Sequence, residues 1–225
     1  MDNRELDEAA APAEDARHAA AAAMRRLGHA MVAYETDSDL LRRIAQQATV
    51  TAEIVESGVR RRREIATLKA QMWGHLPASG EQMAHFEECI VSGRANPMGI
   101  VMDVRREGMS AVAHLNLGAA FEGAPKRAHG GIVAAILDDI MGYVLTVENT
   151  PAYTGTMQVR YAAPTPVETD LVATAWMESR DGRKLTMQST LKMLDGTILA
   201  EGSGVFIAIR PERLRDWQST PPKPQ

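Results

Sequence analysis

The segment that most constrains this chain is AHGGIVAAILDDIMG, Ala128 to Gly142. A His-Gly-Gly turn opens a strongly apolar helix, and two carboxylates, Asp138 and Asp139, sit inside it. Ile132, Val133, Ile136, Leu137, Ile140 and Met141 surround much of that helix, so other elements must wrap it. An ionised carboxylate is costly among apolar side chains unless it is paired, and its pKa tends to rise there. Glycines at a helix start expose N–H groups that no helical turn satisfies, at the electropositive end of the helix dipole. One short segment therefore offers an anion-stabilising corner and a candidate base or nucleophile. Acyl transfer needs that pairing.

Geometry restricts how the two can be used. Asp138 lies nine residues after His129, which at about 1.5 Å per residue separates them by roughly 13 Å along the axis. At about 100° per residue they also point to opposite sides of the helix. A single helix cannot bring both to one carbon atom. Two antiparallel copies can, so a catalytic role for this segment requires a site spanning two subunits of a symmetric dimer.

Around this helix the chain changes character once, near Trp73 to Gly80. Before that point Met1 to Asp15 reads as a frayed tail, and Arg17 to Tyr34 carries Met24, Leu27, Met31 and Tyr34 at helical spacing. Asp37 or Ser38 can cap a second helix to about Ser57, with Leu41, Ile44, Ala48, Thr51 and Val55 as its stripe. Gly58 marks a break, and a third helical stretch reaches about Trp73. A shorter helix is expected from Glu81 to Val91. From Met98 the period becomes two: strands are expected at Met98–Arg106 and Met109–Leu117, joined at Glu107-Gly108, and, after the helix from Gly130 to about Val147, near 152–163, 171–180, 184–194 and 198–210. Asp181-Gly182 and Asp195-Gly196 are turn dipeptides. One long apolar helix among six antiparallel strands is an α+β fold with the sheet around the helix.

Composition narrows the classes further. The 225 residues suffice for one sizeable core plus an extra module, and a net charge of −4 gives no sign of a nucleic-acid binder. The run Arg60 to Arg63 is nearly balanced by Glu53, Glu56 and Glu64, which fits a solvated helix face. Cys89 is the only cysteine, which points to a reducing compartment. The acidic start MDNRELDE lacks a secretory h-region, and no apolar run approaches the roughly 20 residues of a membrane span, so a cytoplasmic protein is expected. The six histidines and one cysteine show no metal-ligand spacing.

The motif set resembles PaaI-type hotdog-fold acyl-CoA thioesterases. HGG followed by Asp138, the approach FEGAPKRAHGG, the strand TGTMQVRYAAPTP, the turn DGRK and the final DGTILAEGSGVFIAI occur in that family's order, over roughly Asn96 to Arg210. The resemblance implies a hotdog domain over 75–212, preceded by an N-terminal helical extension (1–74) and followed by a short tail (213–225) whose PPKPQ end reads as disordered. It implies hydrolysis of acyl-CoA, with Gly130 or Gly131 donating an amide to the oxyanion, His129 orienting the substrate carbonyl or the backbone, Asp138 as base or nucleophile, and Thr154 placing the water. Gly182, Arg183 and Lys184 correspond to a turn near the coenzyme A phosphates, where a bidentate Arg and a mobile Lys suit phosphate. No metal or redox cofactor is implied, and the assembly would be a homodimer, or a tetramer or hexamer of dimers, with no nucleic-acid or membrane partner.

Asp139, about 100° further round, is expected to make a hydrogen bond or salt bridge instead. The chain departs from the family pattern at Gly123, where many members carry Asn, and at Tyr161-Ala-Ala-Pro164, where a basic residue usually precedes the proline. Two other classes fit a hotdog domain: a non-catalytic acyl-CoA-binding module, and an enoyl-CoA hydratase or dehydratase.

Overall fold

The computed structural model describes residues 3–61, 76–83 and 85–210. Helices α1 (Asn3–Ala33) and α2 (Ser38–Glu56) precede strands β1 (Asp103–Glu107) and β2 (Ser110–Asn116). A 3-10 turn at Ala119–Phe121 and a short ribbon, β3 (Glu122–Ala124) and β4 (Arg127–Ala128), lead into α3 (Gly130–Val147). Strands β5 (Ala152–Tyr161), β6 (Asp170–Asp181), β7 (Lys184–Met193) and β8 (Ile198–Ala208) complete the domain. The six long strands form one antiparallel sheet in the order β1-β2-β6-β7-β8-β5.

The sheet curls around α3, which packs on β2, β5, β6, β7 and β8. Alternation along β7 turns Leu185, Met187, Ser189 and Leu191 inward, and along β8 Ala200 and Phe206 meet the same helix. Val133, Ile136, Leu137, Ile140, Met141 and Val144 of α3 are all buried. Each such aliphatic side chain contributes about 1.5–3 kcal/mol on leaving water. By length and composition alone α3 would pass as a membrane span, but here it is the core of the fold.

Several expectations from sequence need correction. The tail expected up to Asp15 is helical from Asn3, in keeping with the high helix propensity of its alanines. The apolar stripe of α1 faces outward: Met24 is 52% exposed and Met31 46%, and Tyr34 just beyond the helix is exposed too. The face that docks is instead His18, Ala21, Arg25 and His29. No residue of α2 is buried, although Asp37 caps it as expected by accepting from the Asp39 N–H at 2.7 Å. The third helical stretch and the C-terminal tail fall on residues outside those described, apart from the irregular 59–61, where Arg61 pairs with Glu88.

The helix expected at Glu81–Val91 does not form. Gly80 and Met83 donate to the Arg106 and Val104 carbonyls, and Arg106 donates back to Glu81, so this segment covers the edge of β1. An eleven-residue helix is marginal by itself, and strand-edge partners outcompete it. The strand expected from Met98 begins only at Asp103, because Val101 adopts φ +66°, which a β-branched residue rarely takes and no strand accommodates. The ribbon β3–β4 was not foreseen. At the other end of the sheet, no described residue pairs with the outer edge of β5.

Candidate active site

His129 ends the incoming ribbon and caps α3. Its backbone is extended (φ −63°, ψ 136°), and its Nδ1 accepts the Gly131 N–H at 3.0 Å. Accepting there leaves Nδ1 without a proton, so the ring orients the backbone. The Gly131 amide is therefore already used. The Gly130 N–H has no acceptor among the described residues, and it lies at the positive end of the helix dipole. Of the two glycine amides, that of Gly130 is the one left open.

Around that amide lies a groove of about 460 Å³, lined by Gly123, Arg127, His129, Gly130, Tyr161 and Pro164 among others. The Tyr161 hydroxyl donates to the Gly130 carbonyl at 2.9 Å, tying the end of β5 to the start of α3. Gly123 has no room for a side chain: a Cβ would lie 2.8 Å from the His129 Cα and 2.9 Å from its ring. The asparagine that many family members place there would displace the capping histidine. Here the N-cap itself occupies that space.

Asp138 lies mid-helix and half-buried, facing β5, where the Thr154 hydroxyl donates to its Oδ1 at 2.9 Å. Thr154 reaches it because of a β-bulge. Opposite β8, Thr154 pairs with Phe206 and Thr156 with Val205, leaving Gly155 as an extra residue. Past the bulge Met157 and Val159 face the core, and before it Ala152 does. Were the same residues paired regularly, with no bulge, Thr154 would point to the opposite face. A Cβ on Gly155 would stand 3.0 Å from the Val205 carbonyl oxygen. A glycine interrupting a strand pattern is a bulge signal, and the sequence carried it. Tyr161 had no comparable signal.

Asp139 points the other way, into the loop at 89–92. Cys89 Sγ donates to its Oδ1 at 3.4 Å, while Oδ2 is buried without a hydrogen-bond partner among the described residues. Burial raises its pKa above the usual carboxylate range; Ser92 and Cys89 oppose that shift, and the charge of Asp138 adds to it. Asp139 thus makes the hydrogen bond expected of it. A raised carboxyl pKa means that native stability falls as pH climbs above the ordinary carboxylate range toward the raised value. Asp139→Asn removes that loss: its stability relative to wild type should increase as pH rises above the ordinary carboxylate range, measured by denaturant unfolding. Equal pH dependence of unfolding in the two proteins would refute this.

The turn at Gly182, Arg183 and Lys184 stands at the other end of the sheet from Gly130. Ala208 donates to the Arg183 carbonyl and accepts from the Arg183 Nε at 2.9 Å, and Lys184 pairs with Ile207. Ala208 also pairs with Ala152, two residues before Thr154. The basic turn therefore accompanies the Asp138 half of the site.

No protein-family model matches the chain. Mouse acyl-coenzyme A thioesterase THEM4 is 30% identical over 97 residues, 43% of this chain and 42% of that protein. Human acyl-coenzyme A thioesterase THEM5 is 28% identical over 96 residues, 42% and 39% of the two chains. The matched segment thus spans less than half the length of these curated relatives. The crystal structure of a thioesterase superfamily protein superposes with a TM-score of 0.71 at 24% identity, covering 85% of this chain and 90% of that one. The chain has the hotdog fold of that structure, and over the matched segment its sequence is similar to the acyl-coenzyme A thioesterases.

Proposed function

We propose that the protein hydrolyses acyl-CoA thioesters to a carboxylic acid and coenzyme A, in a site shared by two copies of the chain. The observation that carries this reading is the Asp138–Thr154 pair, a half-buried carboxylate held by one hydroxyl, beside a strand edge that no described residue pairs. Gly130 and Asp138 are eight residues apart, about 12 Å along α3, so one chain cannot apply both to a single carbonyl group. The free edge of β5 supplies the remedy. Pairing it antiparallel with a second copy near Met157 would bring the Tyr161 end of one chain against the Thr154 end of the other. Tyr161 marks Gly130 and Thr154 marks Asp138. A two-fold axis would then build two sites, each with the Gly130 amide of one chain and the Asp138 carboxylate of its partner. The basic turn would arrive with the Asp138 chain and meet the coenzyme A phosphates.

In such a site the Gly130 N–H polarises the thioester carbonyl. Thr154 occupies one oxygen of Asp138 and leaves the other for a water. Asp138 takes a proton from that water as its oxygen bonds to the acyl carbon, and the oxyanion gathers on the Gly130 amide. Collapse breaks the C–S bond, and the proton leaves Asp138 for the departing sulfur. Direct attack by the carboxylate, through an anhydride that water then opens, uses the same groups. The free Cys89 thiol supports a cytoplasmic location.

Thiol release measured over a panel of short, long and aromatic acyl-CoAs tests the activity. Turnover of at least one member is expected; binding without release would favour a non-catalytic module, and hydration of an enoyl-CoA a hydratase. Thr154→Val should lower kcat by about 10- to 100-fold, the worth of a hydrogen bond to a charged group, while Thr154→Ser retains most activity. A fully active Thr154→Val would remove Thr154 from the site.

A further inference from the structure

The N-terminal helix reaches the oxyanion corner. His29, on the docking face of α1, accepts the Ala120 N–H on its Nδ1 at 3.1 Å, across 91 residues of sequence. Its ring stands edge-on to Phe121, with centroids 5.2 Å apart and planes at 67°. Gly118 lies under the ring so closely that a Cβ there would be 2.5 Å from Nδ1. Phe121 in turn accepts the His129 N–H on its carbonyl at 2.8 Å. His129 is the residue whose ring takes up the Gly131 amide and leaves Gly130 as the open donor. Three more contacts fix α1 in place: Arg25 donates to the Arg94 and Asn96 carbonyls, and His18 pairs with Glu87 at 2.7 Å.

We propose that His29 is a positioning residue for the oxyanion corner, through which the N-terminal helix holds the turn 118–121 and hence the His129 cap that aims the Gly130 amide. This rests on the hydrolase reading above. A donor aimed at a developing oxyanion acts in the transition state, so loosening it lowers kcat more than it weakens substrate binding. His29 makes no contact with the groove that Gly130 opens into, which distinguishes it from a catalytic residue.

The contact requires an unprotonated Nδ1. Burial, with Arg25 on the same helix, lowers the His29 pKa from its ordinary value, and Glu168 from the loop before β6 opposes the shift. The acceptor is therefore intact above the ordinary histidine range and is lost as pH falls through the lowered value.

Three variants of the full chain test the proposal. His29→Ala and His29→Phe remove the acceptor, and His29→Asn restores an acceptor at nearly the position of Nδ1. Expected is a fall in kcat of about 10- to 100-fold for the first two, with KM changed less than about threefold and recovery in His29→Asn. Hydrogen exchange gives a readout independent of turnover. The amides of 118–131 should exchange faster in His29→Ala, while those of β6, β7 and β8 stay as in wild type. Unchanged exchange in 118–131, or equal kcat in wild type and His29→Ala, overturns the proposal with the hydrolase reading intact. A wild-type chain that releases thiol from no acyl-CoA overturns the hydrolase reading, and this proposal with it.

Discussion

Asp138→Asn is expected to slow thiol release from acyl-CoA by about 100- to 10,000-fold, the range for losing a positioned general base. Asparagine is nearly isosteric and keeps an oxygen for the Thr154 hydroxyl, so the local structure is preserved while the proton acceptor is lost. Asp138 is half-buried and Thr154 is its hydrogen-bond partner, so folding and assembly should be unaffected. Steady-state kinetics beside a sedimentation measurement separate the two effects. Retention of full activity in a folded Asp138→Asn would contradict both the general-base and the nucleophilic role. The neighbouring carboxylate is the internal control, because Asp139 faces Cys89 on the opposite flank of α3.

Gly130→Pro should cost about 100- to 1,000-fold in kcat, as loss of one oxyanion donor does elsewhere. The substitution is chosen for the backbone. Gly130 is the first residue of α3, the one helical position where proline's fixed φ and missing N–H are tolerated. His129 before it is already extended, as a residue preceding proline must be. The variant therefore leaves the helix start intact while the ring Cδ replaces the amide hydrogen. Gly130→Ala keeps the amide, and its Cβ would meet the Tyr161 hydroxyl at 3.4 Å, an ordinary contact. Alanine should be active and proline inactive, with coenzyme A binding retained in both. Equal activity of the two variants would show that the Gly130 amide does not carry the oxyanion.

Much of this fold was legible because its signals are local. The apolar run of α3 and the alternation of β6, β7 and β8 are each decided within a dozen residues, and so is the capping histidine. The motif named Asp138, Thr154 and the Gly130–Gly131 pair as candidates, without choosing between the glycines. What escaped depends on partners far away in sequence. Residues 81–91 carry helix-compatible side chains, yet the edge of β1 captures the backbone at 80–83. Val101 turns left-handed inside an apparently regular strand pattern. The choice between Gly130 and Gly131 turns on where one imidazole nitrogen sits. The docking face of α1 was hidden because it is built from histidine, alanine and arginine, while its methionines and Tyr34 face outward. Residues of that kind read as solvated until their acceptors are known.

The central claim is that each site takes its amide from one chain and its carboxylate from the other. Subunit mixing tests it most directly. Asp138→Asn and Gly130→Pro are each expected to be inactive alone, and unfolding and refolding an equal mixture would scramble the chains. Half of the dimers would then be mixed, and each mixed dimer would pair an unmodified Gly130 of one chain with an unmodified Asp138 of the other. The expected result is recovery of about one quarter of wild-type activity. A mixture that re-forms mixed dimers and remains as inactive as its parents would place both groups in one chain and contradict the shared site.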